Sequence, residues 1–511
     1  MSDLLVSAFV RTAKDFGSHP AVVESNSAAT YAELDRQSSE VAAALRKVGV
    51  TWGSRVGIYR RKDIDAVASI HGVLKAGAAY VPLDSRVAPN RLAAIISDAN
   101  LAAIIFEPAL LPKLQALSAR GLTTALDESS CHGQILALRH PPADTARLED
   151  FDSPPAYVLY TSGSTGPPKG VQHTHSSAHA FVSWAAGEFG IGSADRLSCH
   201  APLHFDLTIF DLFAAAMTGA CVVLIPDHIA MFPAQVASII DRHHITTWYS
   251  VPFALVQLLK RGHLASSGRT LRQILFAGER YPPADLQQLA TALPGLPLTN
   301  LFGPTETNVC TFHRLSGEDL FSDRFCPIGR LCPYSTGLVV DDTGAAVVPG
   351  AKGELLIGGA SVMTGYLNRP ELNEKVFTTR NEGHPQRFFR TGDLVTVSSF
   401  GVMMFHGRAD RQVKVRGFRI ELDEVEAALA NCCSVNAAAA WIHQDLTGFT
   451  EIRAAVSLGE TSKSPRPEAL ISEVKDHLPL AAVPAQVSIL NDLPRTINGK
   501  VDYKALSNIG I

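Results

Sequence analysis

From residue 31 to residue 277 the chain alternates short strand-like runs with helical ones, and this alternation limits the folds open to it. Residues 31–48 carry apolar side chains at helical spacing. Residues 55–59 read as a strand, 63–76 as a helix stopped by Gly77, 80–84 as a strand entering a turn, 91–98 as a helix and 102–106 as a strand. Similar units recur at 221–225, 234–243, 247–250, 253–260 and 273–277. Strand, helix, strand in short pieces implies an α/β region built on a mostly parallel sheet. Near residue 336 the texture changes. Short strands at 337–344, 353–358, 387–390 and 402–406, broken by Gly, Pro and Asp, imply a β-rich subdomain. After Gly407 it changes again, to mixed helices and strands over about 100 residues, the size of a small α+β domain. The expected organisation is a large core over residues 1–409 and a small C-terminal domain over 410–511.

Composition excludes several classes. Among 511 residues, 46% are hydrophobic and 18% charged, so disorder over most of the length is ruled out. With 45 Lys+Arg against 49 Asp+Glu, no basic excess points to nucleic acid or an anionic membrane. No run of about 18 apolar residues suggests a membrane span. Residues 1–17 carry Asp3 and read as an amphipathic helix, not a signal peptide. The cysteines (Cys131, Cys199, Cys221, Cys310, Cys326, Cys332, Cys432 and Cys433) include no Cys-x-x-Cys pair. A reducing, cytoplasmic location is expected.

Residues 158–171 read VLYTSGSTGPPKGV. An apolar strand runs into a loop of Ser, Thr and Gly, then Lys169. Gly163 and Gly166 permit close backbone approach. The hydroxyls of Ser162, Ser164 and Thr165, with backbone N–H groups, can wrap phosphate oxygens. Lys169 adds a movable positive charge. The P-loop pattern is absent, because Gly170 and Val171 follow the lysine. Further along, NLFGPTE (300–306) combines an aromatic ring that can stack on a purine, an amide that can bond its edge, and a hard carboxylate. In FRTGDL (389–394), Asp393 offers two acceptor oxygens.

The loop resembles the phosphate-binding signature of adenylate-forming enzymes: acyl- and aryl-CoA synthetases, luciferases and the adenylation domains of nonribosomal peptide synthetases. LKAGAAYVPLD (74–84), HFDLTIFDLF (204–213), NLFGPTE, FRTGDL, GRADRQVKVRGFRIE (407–421) and PRTINGKVD (494–502) are similar to further motifs of that family, in its order. The resemblance implies a small C-terminal domain that rotates as a lid. It implies ATP contacts from Thr161, Ser162, Gly163, Ser164, Gly166, Asn300, Phe302, Gly303, Thr305, Asp393 and Arg408. Lys500, Lys169, Thr165 and Glu306 become candidate catalytic residues, with Mg²⁺ on Glu306. Asp410 becomes the hinge, and Lys414 belongs to the face presented for thioester formation.

The same resemblance implies the substrate. Asp206 occupies the position that pairs with an amino acid's ammonium. The side-chain pocket is then lined by Leu207, Phe210, Ser250, Leu275, Ala277, Leu301, Val309 and Cys310, with His204 near it. Tyr249 stands beside Ser250 as the alternative match. No charge faces the side chain, which suits a small or medium apolar amino acid. The set is similar to that of proline-activating enzymes of natural-product biosynthesis. A D-alanine or other small or β-amino acid ligase shares the catalytic motifs, and Asp206 argues against an acyl-CoA ligase. Nine residues follow Asp502, so the carrier protein bearing the phosphopantetheine thiol is expected to be a separate partner. A monomer or weak dimer is expected. His173, His175, His179, Cys199, His200 and His204 fit no standard zinc spacing, and structural or substrate-lining roles are expected for them.

Overall fold

The helix read over residues 31–48 forms over Tyr31–Lys47. It opens with a capping box in which Thr30 and Glu33 satisfy each other's backbone N–H groups. Asp63 caps the helix Ile64–Lys75, and Gly77 follows it at φ 81°. A side chain at Gly77 would also meet the Trp52 ring at 2.5 Å, so the glycine is required twice over. The computed structural model describes residues 4–118, 124–127, 134–138, 153–163, 166–382, 384–432, 434–444, 450–459, 465–496 and 501–508. Among them, no helix is long and apolar enough to cross a membrane.

The chain divides into two compact units. The first comprises Met1–Ser85, Asp98–Leu159 and Gly170–Ala409; the second comprises Arg86–Ser97, Tyr160–Lys169 and Asp410–Ile511. The α/β alternation produces a nine-stranded sheet in the first unit. Its centre is parallel: Thr247–Ser250, Gln273–Ala277 and Leu298–Phe302 lie side by side. An eight-stranded sheet contains Arg55–Tyr59, Ala79–Pro82 and Ala103–Phe106 in parallel. The β-rich texture after residue 336 becomes a five-stranded sheet of Ser335–Val340, Lys352–Gly359, Phe377–Glu382, His384–Val397 and Met403–Arg408.

Successive residues of a buried parallel strand serve opposite layers. Tyr249, Leu275, Ala277 and Leu301 join one hydrophobic cluster with Phe210, Phe181 and Tyr157. Trp248, Ile274 and Phe276 join another with Tyr281 and Leu255. In the second unit the helix Leu422–Ala430 buries Val425 and Leu429 in a cluster with Ile452, Val456 and Val487. The alanine run at 437–440 lies in the strand Val435–Gln444, where Ala439 and Ala440 are fully buried.

Candidate active site

The strand Leu298–Phe302 ends at Gly303, and the chain turns through Thr305–Thr307. A Cβ at Gly303 would stand 1.8 Å from the Asn308 carbonyl oxygen, so only glycine fits. Asn308 itself sits at φ 52°, and its Oδ1 accepts from the Tyr157 hydroxyl at 3.0 Å. This turn carries Thr305 and Glu306.

Glu306 is fully buried, and its Oε1 accepts from the Tyr366 hydroxyl at 2.5 Å. His173 fixes the neighbouring residue: its Nε2 lies 2.8 Å from the Thr305 carbonyl oxygen. A carbonyl only accepts, so that nitrogen carries the proton. Burial pulls the His173 pKa down to about 4, and the ring is neutral at pH 7. The Thr305 hydroxyl donates to Asp206 Oδ2 at 2.6 Å. Asp206 directly precedes the helix Leu207–Thr218 but makes no capping bond with its side chain. Its carboxylate is thus joined to the Thr305–Glu306 turn.

Beside these groups lies the face shared by Tyr249, Leu275, Ala277 and Leu301, with Leu207, Phe210 and Val309 in the same cluster. Phe210 and Tyr249 meet edge to face at 5.6 Å. Ser250 is not brought to this face. It lies on the opposite side of its strand, where its Oγ accepts from the Trp248 indole at 2.8 Å. Tyr249 takes the place expected of Ser250. Burial, then the Asp206 and Asp211 carboxylates, raise the Tyr249 pKa, so the phenol stays neutral. Cys310 packs elsewhere too, in a cluster with Ile328, Val339 and Leu355. His204 stands with its Nε2 3.9 Å from Asp84.

Two strands of the five-stranded sheet set Asp393 opposite Arg408, and Arg408 Nη1 donates to Asp393 Oδ1 at 2.7 Å. Asn300 Nδ2 donates to the Pro327 carbonyl at 2.8 Å. Phe302 meets a ring not expected from sequence, Phe405, at 5.8 Å. Tyr366 was likewise outside the expected set, and His173 was expected only in a structural or substrate-lining role; both reach the Glu306 turn only through tertiary folding.

In the second unit, Thr161, Ser162 and Gly163 end the strand Pro155–Gly163, and Gly166 opens Gly166–Thr174. Lys169 Nζ lies 3.8 Å from Glu421 Oε1. Asp410 Oδ1 accepts from the Gln412 N–H at 3.2 Å. Lys414 sits opposite Arg419 in a hairpin whose turn, Arg416 and Gly417, has φ 53° and 85°, as a type I′ turn requires. Ser164, Thr165 and Lys500 lie outside the described residues.

The sequence pattern of the AMP-binding enzyme family matches residues 9–367, and that of the AMP-binding enzyme C-terminal domain matches residues 424–500. The chain is 37% identical over 522 residues to the L-proline–[L-prolyl-carrier protein] ligase of Streptomyces coelicolor, covering 97% of this chain and 94% of the relative. It is 35% identical over 493 residues to the ligase of the same name from Pseudomonas fluorescens, covering 95% of each. Among solved structures, the amide bond synthetase McbA from Marinactinospora thermotolerans superposes with a TM-score of 0.84 at 27% identity, over 98% of this chain and 99% of that one. The Vibrio cholerae adenylation domain AlmE, solved with glycyl-adenosine-5′-phosphate, gives 0.80 at 26% identity, over 98% and 97%. The motif order, the α/β fold and these matches agree: the chain belongs to the AMP-binding enzyme family, the adenylate-forming enzymes its loops resemble.

Proposed function

We propose that the protein is an amino acid–carrier protein ligase that activates a small apolar amino acid, with L-proline the best fit. The observation that carries this reading is the Asp206 carboxylate, tied by Thr305 to the Glu306 turn and adjoining an uncharged face of Tyr249, Leu275, Ala277 and Leu301. A carboxylate beside apolar walls selects an ammonium whose side chain carries no charge. Two large rings, Phe210 and Tyr249, limit the volume. The secondary ammonium of proline has two N–H donors, which a carboxylate can accept. The relatives named as L-proline ligases support the choice.

In the first step the amino acid carboxylate attacks the α-phosphorus of ATP, and pyrophosphate leaves. That step needs alignment and charge neutralisation. Phe302 and Asn300 would hold the purine, Asp393 the ribose hydroxyls, and the loop around Lys169 the phosphates. Lys500 would steady the attacking carboxylate. Glu306 would hold Mg²⁺: one hard oxygen donor fits an ion that keeps phosphate oxygens and waters as its other ligands. Bound there, the ion supplies charge neutralisation at the phosphates. In the second step the carrier's phosphopantetheine thiol attacks the acyl carbonyl and AMP leaves. Asp410 would serve as the hinge between the two steps, with residues 410–511 as the lid and Lys414 on its thioester-forming face.

ATP–pyrophosphate exchange against an amino acid panel tests the reading. Proline is expected to give the strongest exchange, and Lys500→Ala to lower it about 100-fold or more. Exchange with alanine or a β-amino acid but none with proline would overturn the substrate assignment.

A further inference from the structure

Arg280 lies just past the strand Gln273–Ala277, after Gly278 at φ 97°. Its guanidinium carbon is 4.9 Å from the centre of the Phe405 ring and 5.2 Å from that of Phe325. Nη2 also donates to the Phe405 carbonyl oxygen at 3.0 Å. Arg280 thus holds both the ring and the backbone of Phe405. Phe405 in turn stands 5.8 Å from Phe302, with the ring planes at 48°. Both rings pack on one cluster with Ile328 and Met403. The turn carrying Phe325 is tied back by Asn300, whose Nδ2 reaches the Pro327 carbonyl at 2.8 Å and Cys326 Sγ at 3.6 Å. Two residues proposed for the purine, Asn300 and Phe302, therefore adjoin the two aromatic neighbours of Arg280.

We infer that Arg280 is a positioning residue for the purine of ATP, acting through Phe405, whose ring it fixes beside Phe302 to form the rim on which the base packs. The inference rests on the adenylation reading above. A guanidinium suits this role because it stacks flat on a ring while its fork bonds a carbonyl. Lysine would bring the charge without the flat stack. Arg280 stays open to solvent on one side while its guanidinium lies against the two rings.

The test is steady-state ATP–pyrophosphate exchange by the full chain, with L-proline as the amino acid, for Arg280→Met, Arg280→Lys, Phe405→Ala and the Met–Ala double variant. Arg280→Met is expected to raise the KM for ATP about 3- to 10-fold, with kcat and the KM for proline within about twofold of wild type. Arg280→Lys should fall between. On the Phe405→Ala background the Met substitution should add less than about twofold, because its target ring is gone. Thermal melting identifies any variant that fails to fold, and Arg280→Lys then carries the comparison. An unchanged ATP KM, a loss confined to kcat, or an equal effect on both backgrounds would overturn the role of Arg280 alone. Wild-type protein without exchange for any amino acid would sink the adenylation reading itself.

Discussion

In the proposed reading, Asp206 is the residue on which substrate class turns. It accepts a 2.6 Å bond from Thr305 and adjoins an apolar face. Neutralising it would leave an ammonium facing that face without its counter-charge. Asp206→Asn is expected to lower kcat/KM for the amino acid about 30- to 1,000-fold, the range for truncating a buried charge pair. The KM for ATP should move far less. Exchange kinetics at varied proline and ATP separate the two, and a loss confined to ATP would remove Asp206 from the ammonium role. Asp206, Thr305 and Glu306 could be singled out in the sequence because each sits in a short motif with its own chemistry. Tyr366 and His173 could not. They lie 60 and 132 residues from the groups they bond. Nothing local announces a hydroxyl that will meet a carboxylate across that span.

At the scale of elements, most strands and helices were legible, since apolar period and Gly or Pro punctuation set them locally. Residues 55–59, 247–250 and 273–277 form as read, as Arg55–Tyr59, Thr247–Ser250 and Gln273–Ala277. Which side of a strand faces the pocket was not legible at Ser250. Both faces of Thr247–Ser250 are buried, so hydrophobicity gives no parity, and a slip of one residue exchanges the faces. Pairing with Gln273–Ala277 puts Tyr249 opposite Leu275 and so on the pocket side. The turn after Leu298–Phe302 yields a prediction of its own. Gly303→Ala places a methyl group 1.8 Å from the Asn308 carbonyl oxygen, and backbone must shift. Thr305 and Glu306 shift with it. Exchange should fall roughly 100-fold, the usual cost of an ångström-scale misplacement. The melting temperature should drop by only about 2 °C or less per kcal/mol of strain. Activity surviving at wild-type level would mean that the turn does not position the catalytic groups.

For the whole molecule, a net charge of −4 says little about how stability responds to pH, because the groups that matter are buried. His71, His173, His175 and His200 are all held neutral by burial, with pKa values of about 3, 4, 4 and 4. Unfolded, each would titrate near 6.5. A histidine of this kind takes up its proton only on unfolding. Stability is therefore complete above about pH 6.5 and falls as pH drops through 6.5 towards 4. Asp211 works the other way. It is fully buried, both carboxylate oxygens lack a hydrogen-bond partner among the described residues, and burial holds its pKa well above the usual carboxylate range. It therefore favours folding as pH falls, as do Glu24, Asp63 and Glu424, whose pKa values burial also raises, and these carboxyls oppose the histidines. The balance still favours proton uptake on unfolding, because the four histidine shifts are large and those of Glu24, Asp63 and Glu424 are smaller. The melting temperature should fall steadily between pH 7 and pH 4.5, well before most carboxylates protonate. His71→Gln removes one contributor and should flatten the slope. His71 suits the test because it stacks on Phe9 at 4.0 Å, away from the proposed site, and its Nδ1 has no hydrogen-bond partner among the described residues. A melting temperature that holds level or rises over that interval would mean that these rings carry their protons in the folded chain.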